Sequence, residues 1–266
     1  MWKEFVAEMI NIERRQAIMV ILQSQKSATV EELAQQLYVS PATIRRDLAQ
    51  LEKDGSIQRG HGGAILRDSR DVEPPLLMRE AENRLAKESI AVLAATLIRD
   101  HSILFLDSST TVMRLIPHLR RFNRLTVITH GLKTALALYD FKQITVYCTG
   151  GRLAENTLSM HGPGACERIS QFNADYCFVS CRGFSLEYGV TDASEDEAQV
   201  KRSMMQASRT KVLLFDSSKM NERYLIRCCN FNDFDAIATD KALPREAKET
   251  LENSGVFVLS PGETAP

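Results

Sequence analysis

The sequence predicts an α/β chain in two parts: a small N-terminal winged helix-turn-helix domain, then a larger open α/β sheet domain. Three observations carry this. The 266 residues correspond to about 1.8 domains at roughly 150 residues each. The first 67 residues read as short capped helices closed by a Gly-rich hairpin. From residue 102 onward, short β-branched runs alternate with helical segments, the pattern of a mostly parallel sheet covered on both faces.

Composition bounds the function classes. With 44% hydrophobic residues the chain can bury a full core, and a net charge of −1 means that any nucleic-acid partner is held by a local patch. Residues 12–67 supply such a patch, with eight Lys/Arg against six Asp/Glu. The longest predominantly apolar run, Ile90–Ile98, falls well short of the roughly 20 residues that cross a bilayer. Glu4, Glu8 and Glu13 sit where a signal peptide would be basic and then apolar, so a cytoplasmic protein without a membrane partner is expected. The six cysteines form no CxxC pair, and the five histidines are scattered in sequence. Cys177 and Cys181 would lie about 13 Å apart along one strand, too far to share a metal or a disulfide. Reduced structural cysteines, no metal and no cofactor are expected.

In the N-terminal part, Ile12, Ile18, Ile21 and Leu22 recur at helical spacing. Thr29 reads as an N-cap, and Glu32 three residues on completes a capping box. Val30, Leu33, Ala34 and Leu37 give that helix one apolar face. A turn at Tyr38–Val39 leads to Ser40 and Pro41, the cap and first-turn proline of a third helix. Its buried stripe is Ile44, Leu48 and Leu51, and its outer face carries Ala42, Thr43, Arg45, Arg46 and Gln50. Two helices joined by a short turn, with arginines outward on the second, form the helix-turn-helix layout, here about residues 28–47. Asp47 reads as a structural ion-pair or hydrogen-bond partner, because a carboxylate facing phosphates would be repelled. Gly55 is a natural C-cap, and residues 55–64 read as a wing with Arg59 and His61 at its tip, suited to phosphate or minor-groove contact. The segment DSRDVEPP (68–75) reads as extended, and 68–82 as a linker.

In the C-terminal part the expected strands lie at 102–106, 125–129, 143–148, 174–180, 211–216, 235–239 and 255–260. Helices are expected over Glu80–Ile98, Thr111–His118, Leu132–Tyr139, Glu195–Ala207 and Arg245–Asn253. Four strand ends carry chemistry. Asp107-Ser108-Ser109-Thr110-Thr111 joins a strand to a helix start, where amides and hydroxyls form either an anion site or a plain cap. Gly150 and Gly151 allow close backbone approach to a ligand or a tight turn, and His130-Gly131 is a similar strand end. Arg182-Gly183 offers a phosphate or carboxylate partner. Ser194 and Glu197 have capping-box spacing, and Glu197 with Lys201 forms an i,i+4 pair; both are read as either structural or ligand-facing. Lys219, one short loop beyond a strand, can reach an anion in the same cleft.

SPATIRRDL (40–48), with Glu13-Arg14-Arg15 upstream and RGHGGA (59–64) downstream, resembles the winged helix of the DeoR/GlpR-type bacterial repressors. The resemblance runs along the whole chain, and Met1–Glu8 reads as an extension before the family's usual start. It implies sequence-specific DNA binding through Ser40, Pro41, Ala42, Thr43, Arg45, Arg46, Gln50, Arg59 and His61. It also implies an effector-sensing and oligomerisation domain over 83–266, similar to phosphosugar isomerases of the ribose-5-phosphate isomerase type. The effector contacts implied are Asp107, Ser108, Ser109, Thr110, Thr111, His130, Gly150, Gly151, Arg182, Gly183, Glu197, Lys201 and Lys219. The family commonly has Gly where Ser109 stands and Asn where His130 stands.

The expected function is a homo-oligomeric repressor, dimeric or tetrameric, that binds a double-stranded operator of a carbohydrate-utilisation operon and is released by a phosphorylated sugar. Two rivals stand beside it. A phosphosugar isomerase with an appended DNA-binding domain would need a positioned general base and partner acid. The resemblance to the isomerases implies clustered acids on the strand YCFVSCRG, which here carries none, and Glu195 and Glu197, which could substitute, are already explained by capping. An architectural DNA-binding protein would not respond to sugar phosphates.

Overall fold

The structure, a computed structural model, describes residues 11–53, 55–60, 62–66, 73–74, 76–154 and 157–262. His61 and the Met1–Glu8 extension lie outside these residues. The chain divides into two compact units, Met1–Ala81 and Glu82–Pro266.

The first unit begins with α1 (Asn11–Gln25) and β1 (Ser27–Thr29), followed by α2 (Val30–Gln36) and α3 (Pro41–Lys53). The hairpin β2 (Ile57–Gly60) and β3 (Gly63–Leu66) forms the wing. β1 adds to it, giving an antiparallel sheet of order β1-β3-β2. The Thr29 capping box starts α2: Glu32 N donates to Thr29 Oγ1 at 3.1 Å, and Thr29 N donates to Glu32 Oε2 at 2.8 Å. Between α2 and α3 the chain reverses through Tyr38, whose φ of 54° is left-handed without a glycine. Ile18, Met19, Leu22, Leu33, Ile44, Leu48, Leu51 and Ile57 form one core, each stabilising by roughly 1.5–3 kcal/mol on burial. The segment expected to be a linker is helical in its second half: α4 (Leu76–Ala81) buries Met78 in that same core. Residues 68–72 and 75 lie outside the described residues.

The second unit opens with α5 (Arg84–Ala95). The single helix expected over Glu80–Ile98 is therefore broken, and Asn83, at φ 50°, occupies the break; asparagine tolerates that left-handed conformation better than most residues. The main sheet has seven parallel strands: β4 (Ile103–Leu106), β5 (Leu125–Thr129), β6 (Ile144–Cys148), β9 (Ala174–Ser180), β12 (Ser208–Leu214), β14 (Ala236–Ala238) and β15 (Phe257–Leu259). Their order is β15-β14-β12-β9-β4-β5-β6. The chain runs outward from β4 to β6, then returns to lay β9 beside β4 and runs outward the other way. The strand order thus reverses between β4 and β9, and in open α/β sheets ligands bind outside the carboxyl ends at such a switch point.

Period-two alternation divides the core between the two faces. Phe178, Val212 and Leu214 face Ile90, Ala91 and Ala94 of α5, while Cys177, Val179 and Leu213 face the α9 helix (Glu195–Gln206). α7 (Leu132–Leu138), α8 (Pro163–Ser170) and α10 (Arg245–Asn253) complete the layers. The helix expected over Thr111–His118 is only α6 (Thr110–Met113), followed by a 3-10 turn, Ile116–Arg121. Pro117 explains the stop: it lacks an N–H, and its ring would clash with the carbonyl of Met113 in a continuing helix. Two small antiparallel additions flank the main sheet. One is the hairpin β7 (Arg152–Ala154) and β8 (Ser159–His161); the other is a sheet of order β10 (Gly183–Ser185), β11 (Gly189–Asp192), β13 (Ile226–Cys229). Among the described residues no helix is long and apolar enough to cross a membrane.

Candidate functional site

The first candidate surface is the outer face of α3. Ser40 caps the helix: its Oγ accepts from Thr43 N at 3.2 Å and lies 2.9 Å from Thr43 Oγ1. Ile44, Asp47, Leu48 and Leu51 point inward, which leaves Pro41, Ala42, Arg45 and Arg46 exposed and Thr43 and Gln50 half-buried. Asp47 is buried because Arg14 of α1 reaches it with two hydrogen bonds, Nε at 2.5 Å and Nη2 at 3.2 Å. That double bond fixes the helix at its inner side. Arg45 lies 3.5 Å from Glu31, and Arg59 on the wing lies 3.7 Å from Glu52; all four side chains are well exposed. Such surface pairs are worth little, so both arginines remain available to phosphate.

The second candidate surface lies at the carboxyl ends of β4, β5 and β9. Asp107 does not face outward. It is fully buried, with Oδ1 accepting from Ser109 N and Oδ2 from Ser180 N, each at 2.8 Å, so it bolts the end of β4 to the end of β9 across the switch point. Ser109 caps α6 through Val112 N at 3.2 Å, and Thr110 and Thr111 are buried. Only one helical turn follows this loop, and the Ser109 and Val112 amides are taken by Asp107 and Ser109, so hydroxyls rather than a long helix dipole are what it offers an anion.

Beside this loop a polar cluster is buried. Glu197, the third residue of α9, was expected to be explained by capping, and only half of that holds. Its N–H donates to the Ser194 hydroxyl at 3.5 Å, but its carboxylate turns inward. Oε1 accepts from Ser159 Oγ at 2.8 Å and lies 3.0 Å from His161 Nε2, while Oε2 lies 3.3 Å from His130 Nε2. Ser108 Oγ is 3.4 Å from Oε1. Burial works against this charge, but the hydrogen bonds from His130 and His161 overcome it and hold the carboxyl well below the usual carboxylate range. Histidines scattered in sequence thus meet in the fold, which their spacing along the chain does not reveal. The donor atoms of His130, His161 and Glu197 all lie within 4.8 Å of one another.

Lys201 does not pair with Glu197. Its Nζ donates to Asp192 Oδ2 at 2.8 Å, both groups buried. Burial works against the ammonium, and Asp192, followed by Asp107 and Glu197, more than offsets it, keeping the lysine charged well above its ordinary range. Arg182 lies over the Tyr224 ring at 4.9 Å, and its buried Nε has no hydrogen-bond partner among the described residues. Lys219 ends the 3-10 turn Ser217–Lys219, which Asp216 caps. Asp216 Oδ1 also accepts from Asn83 Nδ2 at 2.9 Å.

Two of the candidate glycines have a backbone reason. Gly151 has φ 115°, and a Cβ there would lie 2.5 Å from the His161 carbonyl oxygen. At Gly183 a Cβ would collide with the Glu222 backbone. Gly150 turns the chain at φ 71°.

His130, Ser108 and Glu197 therefore come together, with Asp107 beneath them. Gly150 and Gly151 shape the neighbouring turn, and Arg182, Lys201 and Lys219 belong to the β9–β12 side. His161, Ser159 and Thr157 were missed, although Ser159 and His161 alternate as buried positions around a half-exposed Met160. A separate cavity of about 490 Å³ opens at the amino ends of the same strands, lined by Arg99, Asp100, His101, Asp175 and Arg209 among others, away from this cluster.

Residues 14–70 match the family model described as the DeoR-like helix-turn-helix domain, and residues 82–241 match the DeoR C terminal sensor domain. The chain is 35% identical over 250 residues to the HTH-type transcriptional regulator GolR of Listeria innocua, covering 94% of this chain and 98% of that protein. It is 34% identical over 248 residues to the HTH-type transcriptional repressor GlcR of Bacillus subtilis, covering 93% and 95%. Both relatives are named as regulators of transcription, not as enzymes. Among solved structures, ribose 5-phosphate isomerase A from Methanocaldococcus jannaschii aligns with a TM-score of 0.39 and 14% identity, over 52% of this chain and 55% of that one.

Proposed function

The chain belongs to the DeoR family of helix-turn-helix transcriptional regulators, and on that premise we propose that it represses a carbohydrate-utilisation operon and is released by a phosphorylated sugar. It acts as a homo-oligomer, at least a dimer, whose α3 helices enter major grooves about one helical turn (34–36 Å) apart. Arg46 and Arg45 contact base edges or phosphates, Thr43, Gln50, Ala42, Pro41 and Ser40 line the approach, and Arg59 and His61 hold the backbone beside it.

The observation that carries the effector reading is the buried Nε of Arg182 at the carboxyl end of β9, next to the switch point, which has no hydrogen-bond partner among the described residues. Nη2 of the same guanidinium donates to the Tyr224 hydroxyl at 3.4 Å, and a buried N–H beside it is costly unless an acceptor such as an anion completes it. Lys219 and the hydroxyls of Ser108, Ser109, Thr110 and Thr111 are the other groups suited to a phosphate, while His130, Glu197 and Lys201 suit sugar hydroxyls. Asp107, Gly150, Gly151 and Gly183 shape the crevice. Release requires that the effector prefer the state with weaker operator affinity; a tenfold change corresponds to about 1.4 kcal/mol of differential binding.

The test is thermal unfolding of the pure protein against sugar phosphates and the matching free sugars. A ligand at 100 times its Kd adds about 2.7 kcal/mol. A shift with one phosphate and not with its free sugar, accompanied by loss of operator binding, is the expected result. No shift across the panel would remove the effector reading and leave the DNA-binding one.

A further inference from the structure

Three of the polar atoms around Glu197 form a closed triangle: Ser159 Oγ to His161 Nε2 is 2.8 Å, Ser159 Oγ to Glu197 Oε1 is 2.8 Å, and His161 Nε2 to Glu197 Oε1 is 3.0 Å. A hydroxyl and a neutral imidazole bring at most two hydrogens to these three edges. Hydrogen bonding alone therefore leaves one edge without a proton of its own, in a site where Ser159 is fully buried and His161 and Glu197 are each 4% exposed. His130 Nε2 stands 3.3 Å from the other carboxylate oxygen, and its Nδ1 is buried without a partner among the described residues. The spacing matches a coordination shell. Ligands about 2.1 Å from a divalent ion lie about 3.0 Å apart at right angles and about 3.4 Å apart at tetrahedral angles. Among the three candidate ligands, His161 Nε2–Glu197 Oε1 at 3.0 Å and His130 Nε2–Glu197 Oε2 at 3.3 Å fall in that range, and the donor atoms of all three lie within 4.8 Å of one another. Asp196 Oδ2 lies 3.9 Å from Nδ1 of His161, beyond hydrogen-bond distance, and accepts from Arg152 Nη2 at 2.6 Å instead.

We propose that His130, His161 and Glu197 bind a divalent transition-metal ion of the zinc or ferrous class, with Ser159 beside it. Two imidazoles and a carboxylate are the donor set such ions select over magnesium or calcium, which prefer all-oxygen shells. The ion would tie the end of β5, the β8 strand and the first turn of α9 into one unit. It does not depend on the identity of any effector.

The test uses the full-length protein stripped by chelation and titrated, without sugar phosphate, with Zn²⁺ and separately with Co²⁺. One equivalent bound at micromolar affinity or tighter is expected. Bound Co²⁺ should show ligand-field absorption without a cobalt–thiolate band, since the site has no cysteine. His161→Gln and Glu197→Gln should each weaken binding at least about 100-fold while the circular dichroism spectrum is unchanged. If either variant fails to fold, the Co²⁺ spectrum of the unsubstituted protein decides. Absence of stoichiometric uptake, a thiolate band, or undiminished affinity in the folded variants would overturn the proposal. Any of these would leave the phosphate contacts proposed at Arg182 and Lys219 untouched, and metal uptake without a sugar-phosphate response would leave this proposal standing while removing His130 and Glu197 from the sugar contacts.

Discussion

Arg14 on α1 and Asp47 on α3, 33 residues apart, form a two-pronged ion pair in the interior of the N-terminal unit, so the helix that presents Arg45 and Arg46 is held by charge on its inner face. Removing one partner strands a buried charge. Asp47→Ala should cost about 3–5 kcal/mol in the N-terminal unit, read by denaturant unfolding. Replacing both partners together with apolar residues of similar volume should cost far less. A single-substitution loss below about 1 kcal/mol would mean that the pair is solvated and does not hold the helix.

Arg46→Ala should weaken operator binding and lower the slope of log affinity against log salt by about 1, if Arg46 meets a phosphate. Ligand-induced thermal shifts should be unchanged. Loss of both responses would contradict the assignment of DNA contact to α3 and effector contact to the second unit.

Lys219→Ala should do the reverse. Operator binding should persist, while the affinity for the inducing phosphate falls by about 10- to 100-fold, the worth of one charge-assisted hydrogen bond of about 1.5–3 kcal/mol. Isothermal titration with that phosphate checks it, and an undiminished affinity would place the phosphate elsewhere.

Gly151→Ala should destabilise the second unit by more than the roughly 1–3 kcal/mol of a strained dihedral alone, because the added methyl also meets the His161 carbonyl at 2.5 Å. Gly164→Ala, where a Cβ meets nothing within 4 Å, is the control and should change stability little. Comparable melts for the two variants would show that the turn relaxes freely.

The capping box gives a pH dependence. The Thr29 N–H, followed by the Thr29 hydroxyl, lowers the Glu32 carboxyl below its ordinary value. A lowered folded-state pKa contributes stability above the unfolded value, about 4.3, and that contribution is lost as pH falls through the folded value. The stability difference between the protein and Glu32→Gln should therefore be constant at neutral pH and shrink below about pH 4. The Glu32 carboxyl resonance should titrate below an ordinary glutamate; an unshifted midpoint would mean the box is open in solution.

What the sequence made legible follows from how local each signal is. The strands at 125–129 and 174–180 are buried on both faces, so their apolar runs are unbroken and their bounds readable. The caps at Thr29, Ser40, Ser109 and Ser194 depend on residues three positions apart and are equally visible. The antiparallel additions are different. β7, β8 and β10 have three residues each, too short for a period-two pattern to stand out, and β11 reaches β13 only from 34 residues further along the chain. The buried cluster was hidden for the same reason. His130, His161 and Glu197 lie 31 and 36 residues apart and meet only because β8 bridges to Gly131 while α9 starts against both. Glu197 carried a misleading local signal as well, since cap spacing accounted for it without any tertiary partner.

Asn83 stands two residues into the second unit, in a left-handed conformation, and its side-chain amide grips Asp216 and Ser218, the residues that lead to Lys219. The peptide that joins the two units is thus fastened directly to the loop carrying the proposed phosphate contact. An Asn83 variant lacking the side-chain amide would leave Asp216 and Ser218 without this tether, although it touches neither the sheet nor the buried cluster.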